Sequence, residues 1–334
     1  MIKPCENKTY YAMALDPIHV GTGGYRLGRV DLSIVREPGT NLPKIPGTSL
    51  SGVARACMAM ATGRYNWNKD GKKGSCAGQG QGGEGGEGHC GSPYCPVCVA
   101  FGFARGDSGG FQGLAQFADA RILFFPVHSM IGPVWVTSQS VLREHGIEET
   151  VSPDKVRLAS GLSAPDNRLN LGWLMLETRG DSISLDGNLT DVPTEVKSHA
   201  VIVSDKLFSH IVNSNLEVRT SVSIDPATGA AEQGALFTYE AIPRGTVLWF
   251  PVTYSDPKFY RIYYNGGPVE PEPHEGAKKD NDTGKLSVRQ AVEKGLALFK
   301  DLGIGGMNTR GMGRLKFLNL DPVTTVSEEA GGDT

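Results

Sequence analysis

No stretch of this chain approaches the roughly 20 consecutive apolar residues that a bilayer-spanning helix needs. Its opening, MIKPCENKTYY, lacks the apolar core of a secretion signal. A soluble, cytoplasmic protein with no membrane partner is expected. An excess of basic charge is missing too. Lysine and arginine number 33 against 36 aspartates and glutamates, a net charge of −3, whereas a free-standing nucleic-acid binder is usually basic. That shortage excludes little, because Glu84, Glu87, the 270–282 stretch and the Glu328–Asp333 tail read as solvated and carry much of the acid. The remaining body is mildly basic, without a concentrated lysine patch.

Cysteine is scarce, with 6 in 334 residues, and four of them crowd between positions 76 and 98. This pattern points to a metal rather than to disulfides. Several catalytic signatures are absent. No Ser/His/Asp order with a nucleophile elbow occurs, and no second carboxylate is spaced to pair with Asp31. No GKS or GKT enters a helix, so the P-loop is excluded. The common hydrolase chemistries are therefore unsupported.

Glycine, at 44 residues, is plentiful, and the most informative stretch uses it. His19 to Cys57 runs from an apolar strand across a turn containing Gly21, Gly23 and Gly24. It then presents one acid, Asp31, among Arg26, Arg29 and Arg36, and closes with Pro46-Gly47-Thr48-Ser49 opening a helix. Thr48 or Ser49 is placed to cap that helix, whose first turn offers free N–H groups to a phosphate. An RNA backbone lying there would bring a sugar within reach of Asp31. The competing reading is a surface loop with a solvated aspartate and an ordinary capped helix.

Period-2 patterning predicts strands at 9–20 and 30–35, and helical spacing predicts a helix from Leu50 to Ala61. From Thr62 to about Pro93 the pattern dissolves into Gly, Lys, Asp and Glu, an insertion that cannot bury a core. Further strands are predicted at 114–129, 134–137, 170–178 and 216–225, with short helices at 138–146 and 204–214. A paired stretch is expected over 235–254, turning at Pro243-Arg244-Gly245, and a mobile loop over 266–284. The 286–303 segment is the clearest helix and leads through a second glycine turn into a strand at 314–320. Helices on antiparallel strands with long insertions indicate α+β. By length the chain suits two domains, or one with large insertions.

Two constellations carry chemistry. Cys90-x4-Cys95-x2-Cys98 is a strong metal signal, and a tetrahedral zinc needs a fourth ligand: Cys76, with His89 as the alternative. Such a zinc would be structural, its binding free energy holding an insertion that cannot fold by burial. The second constellation is the turn GIGGMNTRGMGR, whose glycines permit close approach while Arg310 and Arg314 supply charge for phosphates. His19, Tyr239 and Glu240 are weaker candidates, because strand-end packing and core-and-surface alternation also explain them. His128, after a buried strand, reads as structural.

Taken in order, GTGGYRLGRVD…IVREP, PKIPGTSLSGVAR, CPVCVAFG, ARILFFPV, the IDPATGAAEQGALFTYEAIPRGT block and GIGGMNTRGMGR resemble the RAMP superfamily of CRISPR effector proteins. ILFFPV with the Asp31 loop is similar to the repeated backbone subunit of type III-B (Cmr) complexes. The resemblance covers about residues 1–320 and leaves a polar tail, 321–334. It implies a ferredoxin-like, RRM-related palm, zinc-bearing fingers at about 62–98 and a thumb β-hairpin within about 160–232.

The same resemblance implies partners and chemistry. Copies would stack along a CRISPR guide RNA beside other subunits, and each thumb would displace a nucleotide of the complementary target RNA. Asp31, supported by His19, Tyr239 and Glu240, would assist attack by the displaced 2′-hydroxyl, aided by a divalent cation, Mg²⁺. The products would be a 2′,3′-cyclic phosphate and a 5′-hydroxyl. Guide RNA would lie on Arg26, Thr48, Ser49, Ser51 and Arg55, and on Gly305, Gly306, Met307, Asn308, Arg310 and Gly311. Some relatives carry a lysine where Ser51 stands. Two alternatives are a guide-binding subunit of the same class whose Asp31 is inert, and an unrelated zinc-bearing ferredoxin-like binding protein.

Overall fold

The computed structural model describes residues 3–23, 30–69, 72–78, 88–104, 109–180, 182–185, 187, 189–276 and 284–321. Its frame is a large mixed sheet built around the first strand, Cys5–Ala14. There Tyr10, Ala12 and Ala14 alternate inward with the period of a half-buried strand. This strand lies antiparallel between Val247–Ser255 on one side and Leu315–Phe317 on the other. Val247–Ser255 in turn pairs antiparallel with Ala120–Ser129. The helix Gly47–Ala61 lies in the chain between the first and second of these strands, and Val288–Ala297 between the third and fourth. The four strands therefore stand in the spatial order fourth, first, third, second.

Those two helices pack so closely that Gly295 has no room for a side chain. A Cβ there would sit inside the van der Waals radius of the Ala54 carbonyl oxygen. Beneath them Tyr10, Phe250, Phe299 and Phe317 form an aromatic core with centroids 5.6 to 6.1 Å apart. Ala120–Ser129 is buried on both faces. Ile122 and Phe125 join this core, while Leu123 and Phe124 join a second one under Leu142, Ile183, Leu189 and Val196. The sheet continues through the hairpin partner Gly132–Ser138 to Ala200–Val203, which runs parallel to it and makes the sheet mixed. The architecture is α+β, as expected.

Several local expectations are corrected. Pro46, not Thr48 or Ser49, is the N-cap of the first helix, and no side chain caps it. Residues 30–35 make isolated bridges at Leu32 and Ile34 rather than a strand. The 170–178 strand is a tight hairpin, Arg168–Leu171 with Leu174–Thr178. The strands on either side of Pro243-Arg244-Gly245 do not pair with each other. Ala231–Ala241 pairs with Glu217–Ile224, whereas Val247–Ser255 belongs to the central sheet, where burial of Leu248, Phe250 and Val252 holds it. The described part of the expected mobile loop is docked on the cysteine segment. Glu272 N–H donates to the Pro93 carbonyl at 2.8 Å and His274 N–H to that of Tyr94 at 2.9 Å. Residues 277–283 lie outside the described residues.

Candidate RNA-processing site and metal centre

Three segments, two of them near in sequence and the third some 270 residues on, meet beside the base of the Glu217–Ile224/Ala231–Ala241 hairpin. The first is the Asp31 segment, which runs along the inner strand of the hairpin. Leu32 N–H donates to the Thr238 carbonyl at 3.0 Å, and Glu240 N–H to that of Leu32 at 3.2 Å. Asp31 is tied to the same threonine. Its Oδ2 accepts from the Thr238 N–H at 2.7 Å and the Thr238 hydroxyl at 2.8 Å, and its own N–H donates to Thr238 Oγ1 at 3.2 Å. These donors, the backbone N–H first, hold the Asp31 carboxyl below the ordinary carboxylate range, so it is ionised at neutral pH. Oδ1 takes no hydrogen bond from this threonine.

The second segment is His19, which is buried. Its Nδ1 lies 2.7 Å from the Glu240 carbonyl and donates its proton to it. Tyr239 packs edge-on against the His19 ring at 5.9 Å. The Tyr239 ring itself is core, not a free stacking platform. It is clustered with Ala241 and Met312 and flanked by Leu32, Phe237 and Met307. Glu240 is engaged as well, because Arg36 grips both its oxygens at 2.6 and 2.8 Å and Ile34 N–H donates to Oε1 at 2.9 Å. Glu240 thus braces the Asp31 segment from inside.

The third segment is the glycine turn. Gly306 N–H donates to the His19 carbonyl at 2.8 Å, and Gly313 N–H to that of Pro17 at 2.9 Å. At Gly305, φ is +86° and a Cβ would collide with the His19 carbonyl oxygen, so only glycine fits. Met307 is left-handed, Asn308 Nδ2 donates to the Leu302 carbonyl at 2.9 Å, and Gly311 follows at φ +74°. Asn308 and Arg310 are exposed, whereas Arg314 is bound to Asp16 at 2.6 and 3.0 Å. Gly21, from the first glycine turn, and Gly305 and Gly306, from the second, thus meet around His19, with Asp31 one residue from the shared apolar cluster; Gly24 lies outside the described residues.

The first helix deviates from expectation. Gly47 N–H donates to Asp119 Oδ1 at 2.8 Å, and Lys44 pairs with the same carboxylate. The amide foreseen for a phosphate therefore already holds an acid. Thr48 is exposed, and Ser49 and Ser51 partly so. Arg55 points into the protein, where its Nε donates to the Cys76 carbonyl at 2.6 Å and its Nη2 to the Gly102 carbonyl at 2.8 Å. Arg26 lies outside the described residues. Thr238 and Asp119 escaped the sequence reading. Alternation puts Thr238 on the same strand face as Glu240, which was the available hint. Asp119 carries no local signal, since its partners lie some 70 residues earlier.

The hairpin that holds Thr238 presents apolar side chains to solvent. Val222 pairs with Leu236 and Thr220 with Thr238, so these residues share one face. Val218, Val222, Ile224 and Leu236 are exposed by 43% to 66%. Its tip is ordered by Asp225, which accepts from Ala227 N–H and from the Thr228 hydroxyl, each at 2.9 Å.

Beside the first helix, whose Arg55 reaches the Cys76 carbonyl, the sulfurs of Cys76, Cys90, Cys95 and Cys98 all lie within 4.8 Å of one another. Two of the separations are 3.7 and 3.9 Å, close to the edge of about 3.8 Å that a zinc tetrahedron with Zn–S near 2.3 Å requires. This donor set can hold a metal ion. His89 is turned away from the cluster, with Nε2 3.1 Å from Arg55 Nη2 and Nδ1 3.3 Å from the Ala104 N–H. Hydrogen bonds from the neighbouring thiols draw Cys90 well below the ordinary thiol range, and the thiolate is the form that ligates metal.

This assembly of sheet, exposed hairpin and paired glycine turns has a family. The model of the RAMP superfamily matches residues 11–316, and the chain belongs to that superfamily. It is 28% identical over 331 residues to the CRISPR system Cmr endoribonuclease Cmr4 of Pyrococcus furiosus, with 93% of this chain and 94% of the relative covered. Among solved structures it is similar to a chain of the type III-B Cmr-beta complex in the apo state, at 15% identity and TM-score 0.57 over 93% of this chain and 96% of that one. It is also similar to oligomeric Cmr4 from Pyrococcus furiosus, at 20% identity and TM-score 0.55 over 94% and 98%. No helix among the described residues is long and apolar enough to cross a membrane.

Proposed function

We propose that this chain is a repeated backbone subunit of a type III-B CRISPR effector complex. It binds guide RNA, stacks with further copies of itself beside other subunits in the cytoplasm, and cleaves complementary target RNA at regular intervals. The observation that carries this reading is Asp31, ionised and anchored on Thr238 at the base of an exposed apolar hairpin, in a RAMP-superfamily chain whose relative is named a Cmr endoribonuclease. The strand order described above supports a ferredoxin-like palm. The thumb is the Glu217–Ile224/Ala231–Ala241 hairpin, whose second strand runs past the expected bounds of about 160–232; the cysteine segment is the fingers, with zinc holding the fingers together.

Stacked A-form RNA keeps each 2′-hydroxyl out of line with the neighbouring phosphorus. The apolar thumb face, inserted into a guide–target duplex, unstacks one nucleotide and lets that hydroxyl swing in line, so positioning supplies most of the rate. The 2′-oxygen then bonds to phosphorus as the bond to the 5′-oxygen breaks. The hydroxyl proton leaves to a base and the 5′-oxygen gains one, giving a 2′,3′-cyclic phosphate and a 5′-hydroxyl. Asp31 faces the reacting sugar through Oδ1, and Thr238 keeps it oriented. A divalent cation such as Mg²⁺, when bound, would neutralise charge developing on the phosphate. Thr48, Ser49 and Ser51 on the first helix and Gly305, Gly306, Met307, Asn308, Arg310 and Gly311 on the turn hold the guide backbone. Sequence choice is left to base pairing.

The test is the assembled complex carrying Asp31→Ala. Guide and target binding should persist and the evenly spaced cleavage ladder should vanish. An intact ladder would remove Asp31 from the chemistry and leave the purely structural subunit as the better reading.

A further inference from the structure

Arg55 was expected on RNA, yet its guanidinium is committed to the walls of the cysteine cluster. Nε donates to the carbonyl of Cys76 at 2.6 Å. Nη2 reaches the Gly102 carbonyl at 2.8 Å, where the helix that begins after Cys95 and contains Cys98 ends. The same nitrogen lies 3.1 Å from Nε2 of His89, the residue before Cys90. One side chain from the palm helix therefore touches every segment that contributes a cysteine.

Four thiolates around a divalent zinc leave net negative charge, here in a place where Cys76, Cys95 and Cys98 have no solvent exposure. Burying that charge is costly unless a cation stands beside it. A guanidinium suits the task, being always protonated and able to direct several donors in one plane, which an ammonium cannot do. We propose that Arg55 is the counter-charge and clamp of the metal centre, a positioning residue that fastens the cysteine segment to the first helix and slows metal release. This rests on reading the cluster as a zinc site.

The experiment uses the full chain loaded with zinc, with release to a chromogenic chelator followed over time for wild type, Arg55→Lys and Arg55→Met. Loss of such a supporting contact typically weakens metal binding by about 10- to 100-fold. The methionine variant should release zinc about ten times faster or more, with lysine intermediate because it restores charge but not the fork. Release from Arg55→Met at the wild-type rate would overturn the clamp while leaving the zinc site in place. A wild-type chain that takes up no zinc would remove the site and the clamp together. Should Arg55→Met not fold, thermal melting of wild type and Arg55→Lys with and without zinc decides. A smaller zinc-induced rise in Tm for the lysine variant supports the clamp, and an equal rise shows that Arg55 only braces the polypeptide.

Discussion

Asp31 shows how a single carboxylate acquires a direction. Two donors from Thr238 occupy Oδ2, so rotation about the side chain is restrained and Oδ1 takes no bond from this threonine. Replacing Thr238 by valine keeps the β-branched shape but deletes one donor to a charged acceptor. Target cleavage should slow by roughly ten-fold, guide binding should hold, and Thr238→Ser should restore the rate. The sign of the pH effect follows from the lowered carboxyl. Its stabilisation is present above the ordinary aspartate value and is lost as pH falls through the depressed one. At neutral pH Asp31 is ionised in wild type and variant alike, so the slower rate there reports orientation. The acid limb of the valine variant should lie at higher pH than that of wild type. A Thr238→Val complex with wild-type rate and acid limb would show that the backbone N–H alone suffices.

The second glycine turn owes its role to where it docks. Its left-handed glycines are compatible with any helix-to-strand turn, but Gly305 sits against the His19 carbonyl and Gly306 donates to it. Gly305→Ala should push the turn off His19, because the added methyl meets backbone that cannot yield and φ is positive. A loss of more than about 1 kcal/mol of stability is expected, measured by denaturant unfolding. An unchanged midpoint would mean the turn is free to move. The first helix illustrates the reverse. Asp119 from a distant loop ties down its leading amide, so Asp119→Ala should cost about 1 kcal/mol, in the manner of a lost N-cap. The same denaturant unfolding checks it.

Among the described residues, several arginines are spent on internal partners. Arg36 serves Glu240, Arg314 serves Asp16, Arg55 serves the cysteine segment and Arg121 serves Glu144. With net charge −3, an isolated chain should bind single-stranded RNA weakly and with a shallow salt dependence, since few phosphates would be neutralised. Avidity should come from assembly, in which each copy adds its share of backbone contacts along one guide. Filter binding of the lone chain against salt, beside recovery of a discrete RNA from the co-expressed complex, checks this. A steep salt slope for the lone chain would contradict it.

Much of the element pattern was legible in the linear text because it follows from local rules. Tyr10, Ala12 and Ala14 alternate, the 286–303 segment repeats at the helical period, and three of the four clustered cysteines sit at metal-ligand spacing. The ordered motifs carried the family. What the text did not contain were pairings whose cost and reward are non-local. Val247–Ser255 joins the first strand rather than its own neighbour because the central sheet buries both of its faces. The 270–276 segment docks because Pro93 and Tyr94 offer it carbonyls. Arg55 turns inward, Glu240 finds Arg36, and Asp31 finds Thr238 only once the hairpin has been laid beside residues 30–36. Residue type and spacing announced a lone acid, two glycine turns and a thiol cluster. Chain folding decided which amides, carbonyls and cations would face them, because hydrogen bonds between segments some two hundred residues apart leave no periodic trace.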